Sequence, residues 1–180
     1  MKPIALIAAF ATIASAYAQP GQPAPAELLI QNAQTAAAKS NKKVMVIFHA
    51  SWCGWCKKLD AFMDMPDFKP MFASSYEIVH LDVLEPAPKR GLENPGGEAV
   101  LIRLGGANQG LPYFAVVDAK GKPIITSTMP VVGKKEGMNT GHPMTPEEVE
   151  HFMTILRKTS RIKPADLVKM ESWLKSQKKG

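Results

Sequence analysis

The chain has 180 residues, enough for one compact domain and too few for two of ordinary size. Its apolar share of 46% can fill a core, and a formal net charge of +6 without an aromatic-interleaved basic tract argues for a solvated surface and against a nucleic-acid-binding stripe. Two cysteines, three positions apart, are too few and too close to staple a small fold.

The chain opens with Lys2 and an apolar run from Ile4 to Ala14, too short to span a bilayer as a helix. Ala16-Tyr17-Ala18 has the small-x-small form of a cleavage site. These features predict a signal peptide over residues 1–18, with an uncleaved anchor as the alternative. A Pro-, Gly- and Gln-rich flexible leader follows over 19–26, then one domain over 27–180. Apolar residues at helical spacing predict a helix from Glu27 to Ser40. Val44 to Phe48 is a short unbroken apolar run, which suits a central strand buried on both faces. The chain then turns through Ser51-Trp52 into Cys53-Gly54-Trp55-Cys56 and a helix reaching about Met63. A short helix over Asp67 to Ser74 and a strand over Tyr76 to Val83 come next. Pro86 to Gly97 reads as loop, and Glu98 to Leu104 as a brief helix stopped by Gly105-Gly106. Tyr113 to Val117 and Lys122 to Thr128 read as strands joined by the turn Asp118-Ala119-Lys120-Gly121. Met129 to Met144 reads as a long loop. Thr145-Pro146-Glu147-Glu148 is a capping-box start for a helix running to about residue 159, and a last helix spans Pro164 to Ser176. Strands alternate with helices and then give way to a hairpin, so the fold class is an α/β sandwich with a mixed sheet.

Basic residues crowd the end of the chain, from Arg157 and Lys158 to Lys178 and Lys179. A solvated helical tail accounts for them, and a dock for an acidic partner or anionic lipid is the alternative.

A CxxC pair that opens a helix directly after a buried strand points to redox chemistry. The helix N-terminus presents unpaired N–H groups and a positive dipole end to Cys53, which favours thiolate over thiol. Cys56 lies about one turn on, within bonding reach. Cys53 is therefore the expected nucleophile, accessible to substrate, and Cys56 the residue that resolves the mixed disulfide. Half a zinc site and an inert disulfide are the competing readings, and neither a second cysteine pair nor a finger-spaced histidine pair supports the first.

The run Trp52-Cys53-Gly54-Trp55-Cys56-Lys57 resembles the active site of the thioredoxin superfamily. Gly110-Leu111-Pro112 before the strand Tyr113 to Val117 resembles that family's cis-proline loop, and the match runs in family order from about Lys42 to Thr128. The resemblance implies a thioredoxin-like sandwich, a mixed central sheet flanked by helices, with an extra C-terminal helix. It implies that Leu111 and Pro112 present backbone groups to a bound peptide. Trp52 and Trp55 are candidates for an apolar platform beside them, with a packing role as the alternative for Trp52. Two departures stand out. Trp55 occupies the usual proline position, and Ile47 stands where thioredoxins bury an aspartate. His80 falls where the family places a partner of that aspartate, either as a substitute proton carrier or as an ordinary packed or solvent-facing histidine. His49 and Lys57 are the further candidates for tuning the thiolate.

Met138, His142 and Met144 form a second constellation, a soft thioether–imidazole donor set suited to Cu(I). It supports a rival reading, a copper-binding thioredoxin-like protein with or without the cysteines. The main reading is an exported, periplasmic thiol–disulfide oxidoreductase that exchanges disulfides with protein substrates through its Cys-Gly-Trp-Cys site, as reductant or general exchanger. Its partners would be exported proteins with cysteines or disulfides and a redox partner, of which a membrane protein is one kind. No nucleic acid, organic cofactor or metal is called for, and a monomer suffices. A non-catalytic interaction protein with a buried, unreactive Cys53 is a third reading.

Overall fold

Val44 to Phe48 needs two apolar faces, and the computed structural model supplies both. The structure describes residues 21–177, so the expected signal peptide, residues 19 and 20 of the leader, Lys178 and Lys179 lie outside the described residues. In chain order the elements are α1 (Ala26–Ser40), β1 (Lys43–His49), α2 (Gly54–Met63), α3 (Lys69–Ser75), β2 (Tyr76–Asp82), α4 (Gly97–Arg103), β3 (Tyr113–Val117), β4 (Pro123–Thr126), β5 (Thr128–Val131), β6 (Lys134–Asn139), α5 (Pro146–Thr159) and α6 (Pro164–Ser176). Successive side chains of a strand point to opposite faces, which divides β1 and β3 between two cores. Val44, Val46, Phe48, Tyr113, Ala115 and Val117 pack beneath α1 and α4, against Ile30, Ala37, Val100 and Leu101. Met45, Ile47, Phe114 and Val116 face the other helical layer, against Leu59, Phe62, Phe152 and Leu156.

The main sheet has the order β2-β1-β3-β4. β1 pairs with β2 in parallel and with β3 antiparallel, and β3 pairs with β4 antiparallel. The mixed sheet with an antiparallel hairpin edge is therefore the one expected. β1 lies inside the sheet, so its C-terminal end delivers the chain to α2 from a rigid base.

The capping box at α5 forms: Thr145 Oγ1 accepts from the Glu148 N–H at 3.2 Å, and Glu148 Oε2 accepts from the Thr145 N–H at 2.8 Å. α6 adds a further helix to the same core, burying Met170 and Leu174 and laying the Trp173 ring 5.1 Å from Phe62.

Two expectations are corrected. Residues 87–92 of the expected loop form a 3₁₀ turn, Ala87–Leu92. More consequentially, the stretch from Met129 to Met144 is not one long loop. The chain leaves β4 through the buried Ser127 and forms the two-stranded hairpin β5–β6 before descending to Thr145. Pro130 and Gly137 break the polar–apolar alternation that would have marked these strands in sequence. Gly137 is needed there, because its φ is +66° and a Cβ would meet the Met129 carbonyl oxygen at 2.6 Å.

Candidate functional site

β1 ends at His49, and after three intervening residues the chain enters α2 with Cys53 as its N-cap. Cys53 Sγ accepts the Cys56 N–H at 3.1 Å, so the sulfur meets one of the unpaired amides at the start of the helix. Cys53 and Cys56 are joined in a disulfide with their Cα atoms 5.3 Å apart. The expectation of an accessible Cys53 is corrected: both cysteines are 2% exposed. Ala50 and Leu111 pack over the pair and seal it in its oxidised form.

Leu111 belongs to the chain entering β3, and the Leu111–Pro112 peptide bond is cis. The Leu111 side chain packs against the disulfide. Trp52 and Trp55 flank the pair at 56% and 47% exposure. Trp52 is tethered by a 2.9 Å hydrogen bond from its Nε1 to the Leu84 carbonyl, while the Trp55 ring lies beneath the Lys58 ammonium, 4.2 Å from the ring centroid. A cysteine pair at a helix start, facing a proline-bearing segment, fits thiol–disulfide exchange.

The family model described as thioredoxin-like matches residues 29–119, half of the chain. The chain belongs to the thioredoxin-like family. Among solved structures, this thioredoxin-like chain is similar to a disulphide isomerase from Xylella fastidiosa Temecula1, at 24% identity and a TM-score of 0.48, over 63% of this chain and 79% of that one. It is also similar to the C-terminal domain of Neisseria meningitidis DsbD in the oxidised form, at 25% identity and a TM-score of 0.39, over 58% and 85%. A third is a DsbH oxidoreductase, at 18% identity and a TM-score of 0.42, over 76% and 87%. No curated protein sequence matches this one.

Two of the four histidines of this thioredoxin-like chain, His49 and His80, meet beside β1 and α2. Ile47 is buried on the α2 side of the sheet and pairs in register with His80. His80 Nε2 meets Asp60 Oδ1 at 3.1 Å, and its ring lies 5.1 Å from that of His49, whose Nε2 is 3.5 Å from Asp82 Oδ1. Burial holds the His49 pKa below its ordinary value of 6.5, with His80 adding to the effect against the opposing pull of Asp82. His49 is therefore mainly uncharged near neutrality and offers the thiolate little positive charge there. Lys57 is exposed on the first turn of α2.

Two carboxylates escaped the sequence reading. Asp60 is four residues after Cys56, hence on the same face of α2, and it is the partner that His80 finds. The Cys-x-x-x-Asp spacing carried that signal. Glu85 is 5% exposed and takes both the N–H and the hydroxyl of Ser51 on its two carboxylate oxygens, the hydroxyl at 2.9 Å. It holds the turn that leads into Trp52 and Cys53, and nothing in its local sequence marked it.

Met138, His142 and Met144 do converge. With Trp55, Leu111, Asn139 and others they line a cleft of about 480 Å³ beside the disulfide. His142 is 7% exposed, stacks on Trp55 at 6.2 Å, and its Nδ1 has no hydrogen-bond partner. Burial lowers its pKa, and the Lys58 charge lowers it further. The Lys58 charge opposes a metal cation at this position, and the Glu148 carboxylate, which lines the cleft, acts in the other direction. Among the described residues, no group of three or more His, Cys, Asp and Glu side chains could hold a metal ion. No helix of the described residues is long and apolar enough to cross a membrane.

Proposed function

We propose that this chain is an exported thiol–disulfide oxidoreductase that acts on protein substrates through Cys53 and Cys56, as reductant or general exchanger. The observation that carries the reading is the position of Cys53, at the N-cap of α2 with the Cys56 N–H on its sulfur and Leu111 against the pair. In the reduced protein that amide and the helix dipole favour the Cys53 thiolate.

The exchange runs in two balanced steps. The Cys53 thiolate attacks one sulfur of a substrate disulfide, forming a Cys53–substrate bond and expelling the other substrate sulfur as thiolate. The Cys56 thiolate then attacks Cys53 Sγ, closing the Cys53–Cys56 bond and releasing the second substrate thiolate. Two electrons pass from the pair to the substrate, and an external dithiol partner must return them. Leu111 and Pro112 position the substrate backbone, and Trp52 and Trp55 supply apolar surface. Asp60, one turn after Cys56 on α2, and its hydrogen-bond partner His80 are our candidates to receive the proton when the Cys56 thiol ionises. The apolar run before Ala16-Tyr17-Ala18 supports export, and a periplasm is the compartment it suits.

The test is a trapping experiment. Cys56→Ser is expected to accumulate mixed disulfides with unfolded, disulfide-bearing protein, and Cys53→Ser to form none. Reduced wild-type protein is expected to be alkylated at Cys53 at mildly acidic pH, well before Cys56. A Cys53 thiol that stays inert to alkylation, with no trapped adduct, replaces this reading with that of a non-catalytic interaction protein.

A further inference from the structure

Ser51 stands two residues before Cys53, in a turn closed by the Cys53 N–H donating to the Ala50 carbonyl at 3.0 Å. A distant segment grips that turn. Glu85, 5% exposed, accepts the Ser51 N–H on Oε1 and the Ser51 hydroxyl on Oε2, the hydroxyl at 2.9 Å. Both oxygens act as acceptors, the pattern of an ionised carboxylate. Lys89 Nζ donates to the same Ser51 Oγ at 3.2 Å, so one hydroxyl bridges a carboxylate and an ammonium. Beside Glu85, the Leu84 carbonyl accepts from Trp52 Nε1 at 2.9 Å. Residues 84–89 thus strap down both Ser51 and Trp52.

The strap is itself fixed. Glu93 Oε1 accepts the Glu85 N–H at 2.8 Å, and Lys89 sits in the 3₁₀ turn Ala87–Leu92, with its N–H donating to the Pro86 carbonyl at 2.7 Å. Leu84 holds a φ of +57°, a left-handed conformation that a leucine keeps only where its surroundings impose it. Neutral hydrogen-bonding groups could hold the turn without burying a charge, which is costly. A carboxylate in this place has an effect beyond holding: a negative charge close to a thiol disfavours the thiolate. Its field reaches His49 at the end of β1. The other charged groups around it are Lys89 and Glu93 on the strap and Asp82 at the end of β2. Ala50 and Leu111, which cover Cys53, bring no charge of their own.

We propose that Glu85 is a positioning residue for Cys53 that also restrains formation of its thiolate, and that Lys89 acts on the same sulfur with the opposite sign. The proposal rests on the reading of Cys53 as the attacking sulfur. The start of α2 draws Cys53 towards the thiolate, and Glu85 offsets part of that pull. Lys89 is exposed, so salt screens its contribution, while the buried Glu85 is screened far less.

The experiment follows alkylation of Cys53 by iodoacetamide across pH in the reduced protein and its variants, because the thiolate alone reacts. Glu85→Gln removes the charge and keeps one oxygen as an acceptor. It is expected to react about threefold faster than the parent on the acid side of the profile, with the midpoint at lower pH and the alkaline plateau within about threefold. Lys89→Gln is expected to react more slowly on the acid side, with the midpoint moved the other way, and to approach the parent in about 1 M salt. A role confined to holding the turn would lower Tm and move neither midpoint. Midpoints that move in the same direction, or a variant whose midpoint stays with the parent's, overturn the proposal. If Glu85→Gln does not fold, Lys89→Gln, on the exposed surface, decides alone. A parent Cys53 that reacts at no pH overturns the exchange reading itself and the proposal with it.

Discussion

His142 and His49 are imidazoles that folding keeps uncharged, and the sign of their effect on stability follows. Burial is the main cause at both positions, aided by Lys58 at His142 and by His80 at His49. Glu148 opposes it at His142, and Asp82, Asp60 and Glu85 oppose it at His49. Above pH 6.5 the two histidines are neutral whether the chain is folded or not, and they leave stability unchanged. Below it the unfolded chain takes up protons that the folded state resists, so stability falls as pH drops through the lowered folded-state values. A His49→Gln, His142→Gln double variant is expected to melt with a flatter dependence on pH between about 7 and 5 than the parent, within the ordinary histidine range. Melting curves recorded by circular dichroism across that window check it. The carboxylates with lowered pKa, Glu27, Asp118 and Glu150, act below their ordinary values of 4.5 or 3.8 and leave this window clear. Identical slopes for parent and double variant would show that neither ring is protected from protonation in the folded state.

The β5–β6 hairpin is the element on which the shape of the cleft depends, and Gly137 is its vulnerable position. An alanine there must hold a φ of +66° and push its Cβ to 2.6 Å from the Met129 carbonyl oxygen, a backbone atom with little room to yield. Gly137→Ala is expected to lower stability by about 1–3 kcal/mol. For a domain of this size that is roughly 2–4 °C in Tm per kcal/mol. Thermal unfolding measures it, and a Tm equal to the parent's would mean the hairpin relaxes without cost. This hairpin was also the least legible part of the sequence. β1 and β3 announced themselves by unbroken apolar runs, and α5 by its capping box, because each obeys a local rule strongly. β5 and β6 are short, carry Pro130 and Gly137, and show no alternation; they form because Ser127 and Asn139 are bound to the neighbouring Phe114, Gly110 and Pro112. At the site, the Cys53–Cys56 pair was legible from its spacing, and Leu111 and Pro112 became candidates through the resemblance to the thioredoxin superfamily. Asp60 was marked only by its spacing from Cys56 and Glu85 by nothing local, since their meaning lies in partners 20 and 34 residues away. The cover over Cys53 was hidden for the same reason, because a leucine 58 residues downstream supplies it.

At the scale of the whole molecule, the direction of exchange becomes a question of folding. The disulfide closes the same short loop in the folded and unfolded chain, so a cycle of folding and oxidation links the two quantities. If folding favours the disulfide over the dithiol, the folded pair is a stronger reductant than the same pair in an unfolded chain; if it favours the dithiol, the pair is a stronger oxidant. Two effects compete here. The Cys56 N–H and the end of α2 favour a Cys53 thiolate, an N-cap contribution on the order of 0.5–2 kcal/mol. Against it, both sulfurs are 2% exposed and covered by Ala50 and Leu111, and two unbonded thiols need more room than a disulfide, so reduction crowds a packed site at a cost of about 1–3 kcal/mol. The second effect is the larger. The oxidised protein is therefore expected to melt above the reduced protein, with each 1.4 kcal/mol of difference corresponding to about 30 mV in the potential of the pair. Paired melting curves, with reduced protein kept under excess dithiol, measure the difference. A reduced form that melts higher would assign the chain to the oxidising direction while leaving Cys53 as the attacked sulfur.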